Sequence, residues 1–217
     1  MLKKLLTLCL CILMTGCTVS SSSAVPSSSS AETVLLSDEY EQLPEENAYY
    51  IGEKENIKNY IEHGTGILVL GFPACPWCQA YLPLFNEVLE ETGAQAMYYN
   101  IRVDKTEDRE FYDEVASLIE EVNDSGEEII LYDNDGRQVI YMPLVLFISS
   151  GRIIAFDNET SMESSEEHSP EEYWTEEKVS SLKERLSEYT RVIAEAQAEN
   201  DAKGCDSGCE VKPQGSN

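Results

Sequence analysis

The chain has 217 residues, of which 41 are acidic and 15 basic, for a formal net charge of -26. A surface of that sign repels phosphate backbones, so nucleic acid is excluded as a partner, and most of the charge is read as solvating helices and a tail. At 42% hydrophobic and 9% aromatic residues the chain can bury the core of one domain with tails, which excludes wholesale disorder.

The first sixteen residues read as an export signal rather than as fold. Met1-Leu2-Lys3-Lys4 is a basic start, and Leu5 to Met14 is an apolar run. That run is shorter than the roughly 20 residues a spanning helix needs. Next comes Leu13-Met14-Thr15-Gly16-Cys17, which resembles the lipobox of bacterial lipoproteins, with Met14 where Leu is usual. The resemblance implies cleavage behind Gly16 and a diacylglycerol on Cys17. It implies a lipid anchor on the extracytoplasmic face of a bacterial cell membrane, of the Gram-positive kind. An ordinary secretory signal with an incidental Cys17 is the other reading. Loss of Lys3 and Lys4 with the signal takes the net charge from -26 to -28. Residues 17–47 are then anchor and linker, Ser-rich over 18–31 and acidic and turn-rich over 32–47.

A folded domain is expected over residues 48–200. Ala48 to Gly52 predicts a strand, and Glu53 to His63 a helix with Ile57, Tyr60 and Ile61 on one face. Ile67 to Phe72 is a continuous apolar run, as in a strand covered on both sides. A helix follows as far as Thr92, stopped by Gly93, and Ala96 to Val103 predicts a further strand. Asp108 to Val122 carries Phe111, Val115, Leu118, Ile119 and Val122 on a helical stripe. Ile129–Tyr132 and Gln138–Tyr141 flank the turn signal Asp135-Gly136. Leu144 to Ile148 and Arg152 to Phe156 predict an antiparallel hairpin. Residues 158–170 form an acidic loop expected to be mobile, and Glu171 to Asp201 a long helix. Residues 201–217 read as a disordered tail. This order predicts an α/β fold with a mixed sheet between helices and a small insertion before the Leu144 strand.

Cys9 and Cys11 leave with the signal, so the domain and tail hold two close pairs, Cys75/Cys78 and Cys205/Cys209. An exported compartment lets disulfides persist, and from spacing alone the first pair is a redox couple, half of a metal site or a structural staple. Cys75 is placed just ahead of a helix, where unpaired N–H groups and the helix dipole favour a thiolate, and Pro76 needs no partner there. Cys78 lies one turn further in, on the same side and more buried. Cys75 is therefore expected to attack and Cys78 to resolve the mixed disulfide, with Trp77 as an apolar rim or a packed core residue.

Cys75-Pro76-Trp77-Cys78 after a buried strand, Pro83 five residues on, and Met142-Pro143 before an apolar strand and Gly151 together resemble the thioredoxin family over residues 48–198. Val103-Asp104 resembles the end of that family's second central strand. The resemblance implies a thioredoxin-like fold, a redox-active Cys75–Cys78 disulfide, a cis bond at Pro143, and a Met142 backbone that pairs with substrate. Two departures stand out: Val69 occupies the position of the family's buried Asp, and Asn100 that of its accompanying Lys. Both count against a fast general reductase. Cys-Pro-aromatic-Cys is closer to glutaredoxins, whereas the export signal brings exported thioredoxin-like proteins, including bacteriocin accessory proteins, nearer.

The expected function is an anchored thiol–disulfide oxidoreductase acting on protein disulfides or thiols, without cofactor or metal. It would exchange electrons with an unknown partner, of which a membrane redox protein is one class. The rival is a binding module of a surface or export complex with a static disulfide. Its working surfaces would then be the 158–172 loop and the long terminal helix. Cys205 and Cys209 read as a local disulfide, with a dithiol that exchanges with Cys75/Cys78, or metal capture by all four, as the other readings; the two pairs are too unlike for a zinc site. His63 and His168 read as surface residues.

Overall fold

The computed structural model describes residues 35–159 and 168–202. The signal, Cys17, the Ser-rich tether, residues 160–167 of the acidic loop and the Cys205/Cys209 tail lie outside the described residues.

A five-stranded sheet organises the described residues, in the order β1 (Tyr49–Ile51), β3 (Ala96–Tyr99), β2 (Gly66–Leu70), β6 (Leu144–Ser149) and β7 (Arg152–Asp157). The first three run parallel, and β6 and β7 join antiparallel. Between β1 and β2 runs α2 (Lys54–His63), and between β2 and β3 runs α3 (Pro76–Thr92). Every residue of β2 is buried, as its unbroken apolar run requires of a strand covered on both faces. Successive side chains leave it on opposite sides. Ile67 and Val69 join a cluster with Leu82, Phe85, Val145 and Phe147, and Leu68 and Leu70 join one with Ile57, Val115, Ile119 and Leu146.

The second cluster is closed by α5 (Arg109–Glu121), whose apolar stripe is buried as its spacing predicts. The first is closed by α3 and by α7 (Glu176–Ala202), which buries Leu182, Leu186 and Ile193 at helical spacing. Between α5 and β6, the short β4 (Leu131–Tyr132) and β5 (Gln138–Val139) pair around the Asp133–Gly136 turn as the insertion. Gly151 joins β6 to β7 at φ 73°, and a Cβ there would lie 1.9 Å from the Glu62 carbonyl oxygen, so only glycine fits this corner.

Three expectations are corrected. The strand expected over Ala96–Val103 stops at Tyr99, and Ile101–Glu107 is a helix, α4, so Val103 and Asp104 are not strand residues. The cause is tertiary: Asp104 is buried, and it accepts hydrogen bonds from Lys54 Nζ at 2.5 Å and Tyr99 Oη at 2.7 Å. The helix expected from Glu171 is two, α6 (Pro170–Tyr173) and α7, because Tyr173 and Trp174 turn inward between them. Of the linker expected over residues 17–47, the described residues 35–47 are part of the body. Its α1 (Leu36–Glu39) and the turn after it bury Leu36, Tyr40 and Leu43 against α3 and the sheet.

Candidate functional site

Cys75 is the N-cap of α3, with extended backbone, and Pro76 opens the helix. The Cys75 sulfur accepts a hydrogen bond from the Cys78 backbone N–H at 3.2 Å, and its carbonyl accepts from Gln79 N–H at 3.0 Å. The cap thus points a sulfur, rather than a hydroxyl or carboxylate, at the open N–H groups of the first turn. Both cysteines are free thiols.

Their electrostatic settings are opposite. The hydrogen bond from the Cys78 thiol, with help from the backbone N–H groups of Cys78 and Trp77, outweighs burial and lowers the Cys75 thiol to about 7. Burial pushes the Cys78 thiol far up, and its hydrogen bond to Cys75 and the charge there add to the rise. One group ionises near neutrality while its neighbour holds its proton. Cys75 is also more enclosed than an attacking thiol was expected to be, at 5% exposure. Phe72, Trp77 and Met142, all half-buried, pack against the same cluster.

Met142 lies just before β6, the strand that pairs with β2. The Met142–Pro143 bond is cis, the geometry the family resemblance implies, and the Met142 carbonyl oxygen is 3.8 Å from the Cys75 sulfur. Trp77 meets Tyr173 edge to face at 5.4 Å between ring centres, and Trp174 continues the stack onto Tyr81. Trp77 is half-buried, with its ring packed on Tyr173. Pro83 lies within α3 and has no N–H for the Gln79 carbonyl. Val69 is fully buried and lies in the cysteine-side cluster. Asn100 is the N-cap of α4, and its Oδ1 is buried with no hydrogen-bond partner. His63 and His168 are exposed.

Two residues that the sequence reading passed over stand beside the thiols. Gln79 donates to the Pro73 carbonyl at 2.7 Å and the Glu39 carbonyl at 2.8 Å, tying the loop before Cys75 to the N-terminal segment. Tyr40, from that segment, shares a buried 2.8 Å hydrogen bond with Tyr98 of β3. Leu36, Tyr40 and Leu43 recur at helical spacing, and that periodicity was the available signal.

Comparison of the chain with family models, with curated proteins and with solved structures finds no match in any of the three. Among the described residues, no group of three or more His, Cys, Asp or Glu side chains is placed to hold a metal ion, and no helix is long and apolar enough to cross a membrane.

Proposed function

We propose that this chain is a thioredoxin-like thiol–disulfide oxidoreductase acting on protein disulfides or thiols through Cys75 and Cys78. The observation that carries the reading is the N-cap of α3. There a cysteine sulfur accepts the Cys78 N–H and ionises near neutral pH, three residues from a thiol that does not. The mixed sheet with helices on both faces, and the Met142 carbonyl beside the Cys75 sulfur, support the same reading.

The chemistry runs in two balanced steps. The Cys75 thiolate attacks one sulfur of a substrate disulfide, the substrate S–S bond breaks, and its other sulfur leaves as a thiolate. Cys78 then gives up its proton to the released substrate thiolate or to solvent and attacks the Cys75 sulfur, forming the Cys75–Cys78 disulfide and releasing the second substrate sulfur. The substrate gains two electrons and the dithiol loses two; from the oxidised pair the same steps run backwards. Cys75, at its present burial, must open for a protein substrate to reach the sulfur, and the Met142 backbone is the edge along which its chain would lie.

Export and a lipid anchor at Cys17 complete the proposal, resting on the lipobox resemblance alone. The protein would then work at the outer face of a bacterial cell membrane. Equilibration of the chain with glutathione redox buffers, read by alkylation and mass, tests the activity. A Cys75–Cys78 couple that titrates within the range of the buffers, together with insulin-disulfide reduction that Cys75→Ser abolishes, is expected. A pair that no buffer reduces, with no turnover, would refute it and favour the static binding module.

A further inference from the structure

Resting on that reading, the resolving step raises a difficulty: Cys78 is buried at 0% exposure, and the position the resemblance gives to a carboxylate holds Val69. A thiolate formed there is met by the backbone N–H groups of Phe72 and Cys78, and a further donor must come from outside β2 and residues 71–74, which carry no side-chain donor. Gly71, at the end of the strand before the cysteine loop, shows which groups are near. A Cβ added to it would lie 3.5 Å from the Cys78 sulfur, 3.5 Å from the Tyr40 hydroxyl oxygen and 3.4 Å from the Tyr98 ring. The phenol pair and the buried sulfur therefore border the same space, which the missing side chain leaves open.

The pair has a hydrogen to offer. Two phenols carry two O–H hydrogens, and the 2.8 Å bond between Tyr40 and Tyr98 uses one of them. Burial holds both phenols neutral well past the ordinary tyrosine range, and the charges at Cys78 and Cys75 act in the same direction on each. A neutral phenol donates, so this pair offers a hydrogen bond to a thiolate and does not compete with it by ionising. Few other ionisable groups bear on the site. Cys75 comes from α3 and Glu39 from the N-terminal segment, while β2 and residues 71–74 contribute no ionisable side chain.

We propose that Tyr40 and Tyr98 are positioning residues for the resolving step, turning the spare phenolic hydrogen toward the Cys78 sulfur across the space beside Gly71. Once the Cys78 proton has left for the substrate thiolate released in the first step or for solvent, the negative charge on Cys78 is met by this donor until Cys78 attacks Cys75, the Cys75–Cys78 bond forming as the Cys75–substrate bond breaks. The N-terminal segment, which supplies Tyr40, is thereby part of the working centre.

The test uses the full chain and 5,5′-dithiobis(2-nitrobenzoate), with the absorbance of the Cys75→Ser chain, which keeps every other cysteine, subtracted. Attack by Cys75 releases one coloured thiol, and resolution by Cys78 releases the second. Tyr40→Phe, Tyr98→Phe and the double variant are followed from pH 5 to 10. The double variant keeps both rings and strands neither hydroxyl, so it keeps the fold even where a single change does not. Expected are an unchanged first release and a second release about tenfold slower at pH 7. Because the Cys78 thiol is held far up, the variants should lag by about the same tenfold across the pH range, as a tenfold loss of thiolate requires. A second release with the same rate at every pH in the unsubstituted chain and all variants would overturn the proposal alone. Absence of any second release in the unsubstituted chain would overturn the dithiol reading, and the proposal with it.

Discussion

Cys75 and Cys78 stand three positions apart, and their sulfurs differ in which group supplies a hydrogen. Cys75 receives hydrogen bonds at a helix start, whereas Cys78 is surrounded by apolar side chains and one phenol pair. Reactivity follows the thiolate, so alkylation of Cys75 by iodoacetamide should rise with pH, reach half its plateau near pH 7, and level off above it. A mass-resolved rate profile checks this, and a midpoint at the roughly 8.5 of a free cysteine would show that the cap does not act on the sulfur. The place of Cys75 at a helix start and the cis bond at Pro143 were legible in the sequence, because each rests on local spacing or on one resemblance. Tyr98 was not legible as a site residue, since only the sheet register brings it to Tyr40 and Gly71.

At the scale of elements, α7 and β7 are held to α3 by one buried carboxylate. Asp157 accepts from Tyr81 Oη at 2.9 Å and from Arg185 Nε at 2.7 Å, and Arg185 also reaches Glu159 at 2.6 Å. Burial already lifts the Asp157 carboxyl above its ordinary range, against the pull of Arg185. In Arg185→Met that lift grows, so folding takes up a proton and stability falls as pH rises. Because Arg185 is itself about a third exposed, the expected loss is about 2–3 kcal/mol at pH 7, below the usual cost of breaking a fully buried pair. The loss should fade toward pH 4, where the unfolded carboxyl is protonated too, and denaturant titrations at the two pH values measure it. The same scale shows where periodicity misleads. Ile101 and Val103 continue an apolar run that reads as strand, but the Lys54–Asp104 and Tyr99–Asp104 contacts that make it a helix join residues distant in sequence or across a turn. The break at Trp174 was hidden for a related reason, because its partner Tyr81 belongs to another helix.

For the described molecule as a whole, the N-terminal segment is the largest departure from the sequence reading. An acidic, turn-rich composition suggested a linker, yet Leu36, Tyr40 and Leu43 lie at 4%, 0% and 5% exposure. Burial of such side chains contributes roughly 1.5–3 kcal/mol each. A chain beginning at Ala48 should therefore lose at least about 4 kcal/mol of stability in a urea titration, and a loss below about 1 kcal/mol would mean that the segment is not part of the core. The mixed sheet and its flanking helices were readable from the alternation of apolar runs. The segment that closes the cysteine side was not, since three apolar residues among carboxylates leave only a faint helical period.

The central claim is that Cys75 attacks disulfides in other proteins. Its most direct measurement is a trap: the Cys78→Ser chain is incubated with insulin, quenched with acid, and analysed by non-reducing mass spectrometry with peptide mapping. A mixed disulfide between Cys75 and an insulin cysteine, absent in Cys75→Ser, is the expected result. An unmodified Cys75 after prolonged incubation at pH 8 would contradict it.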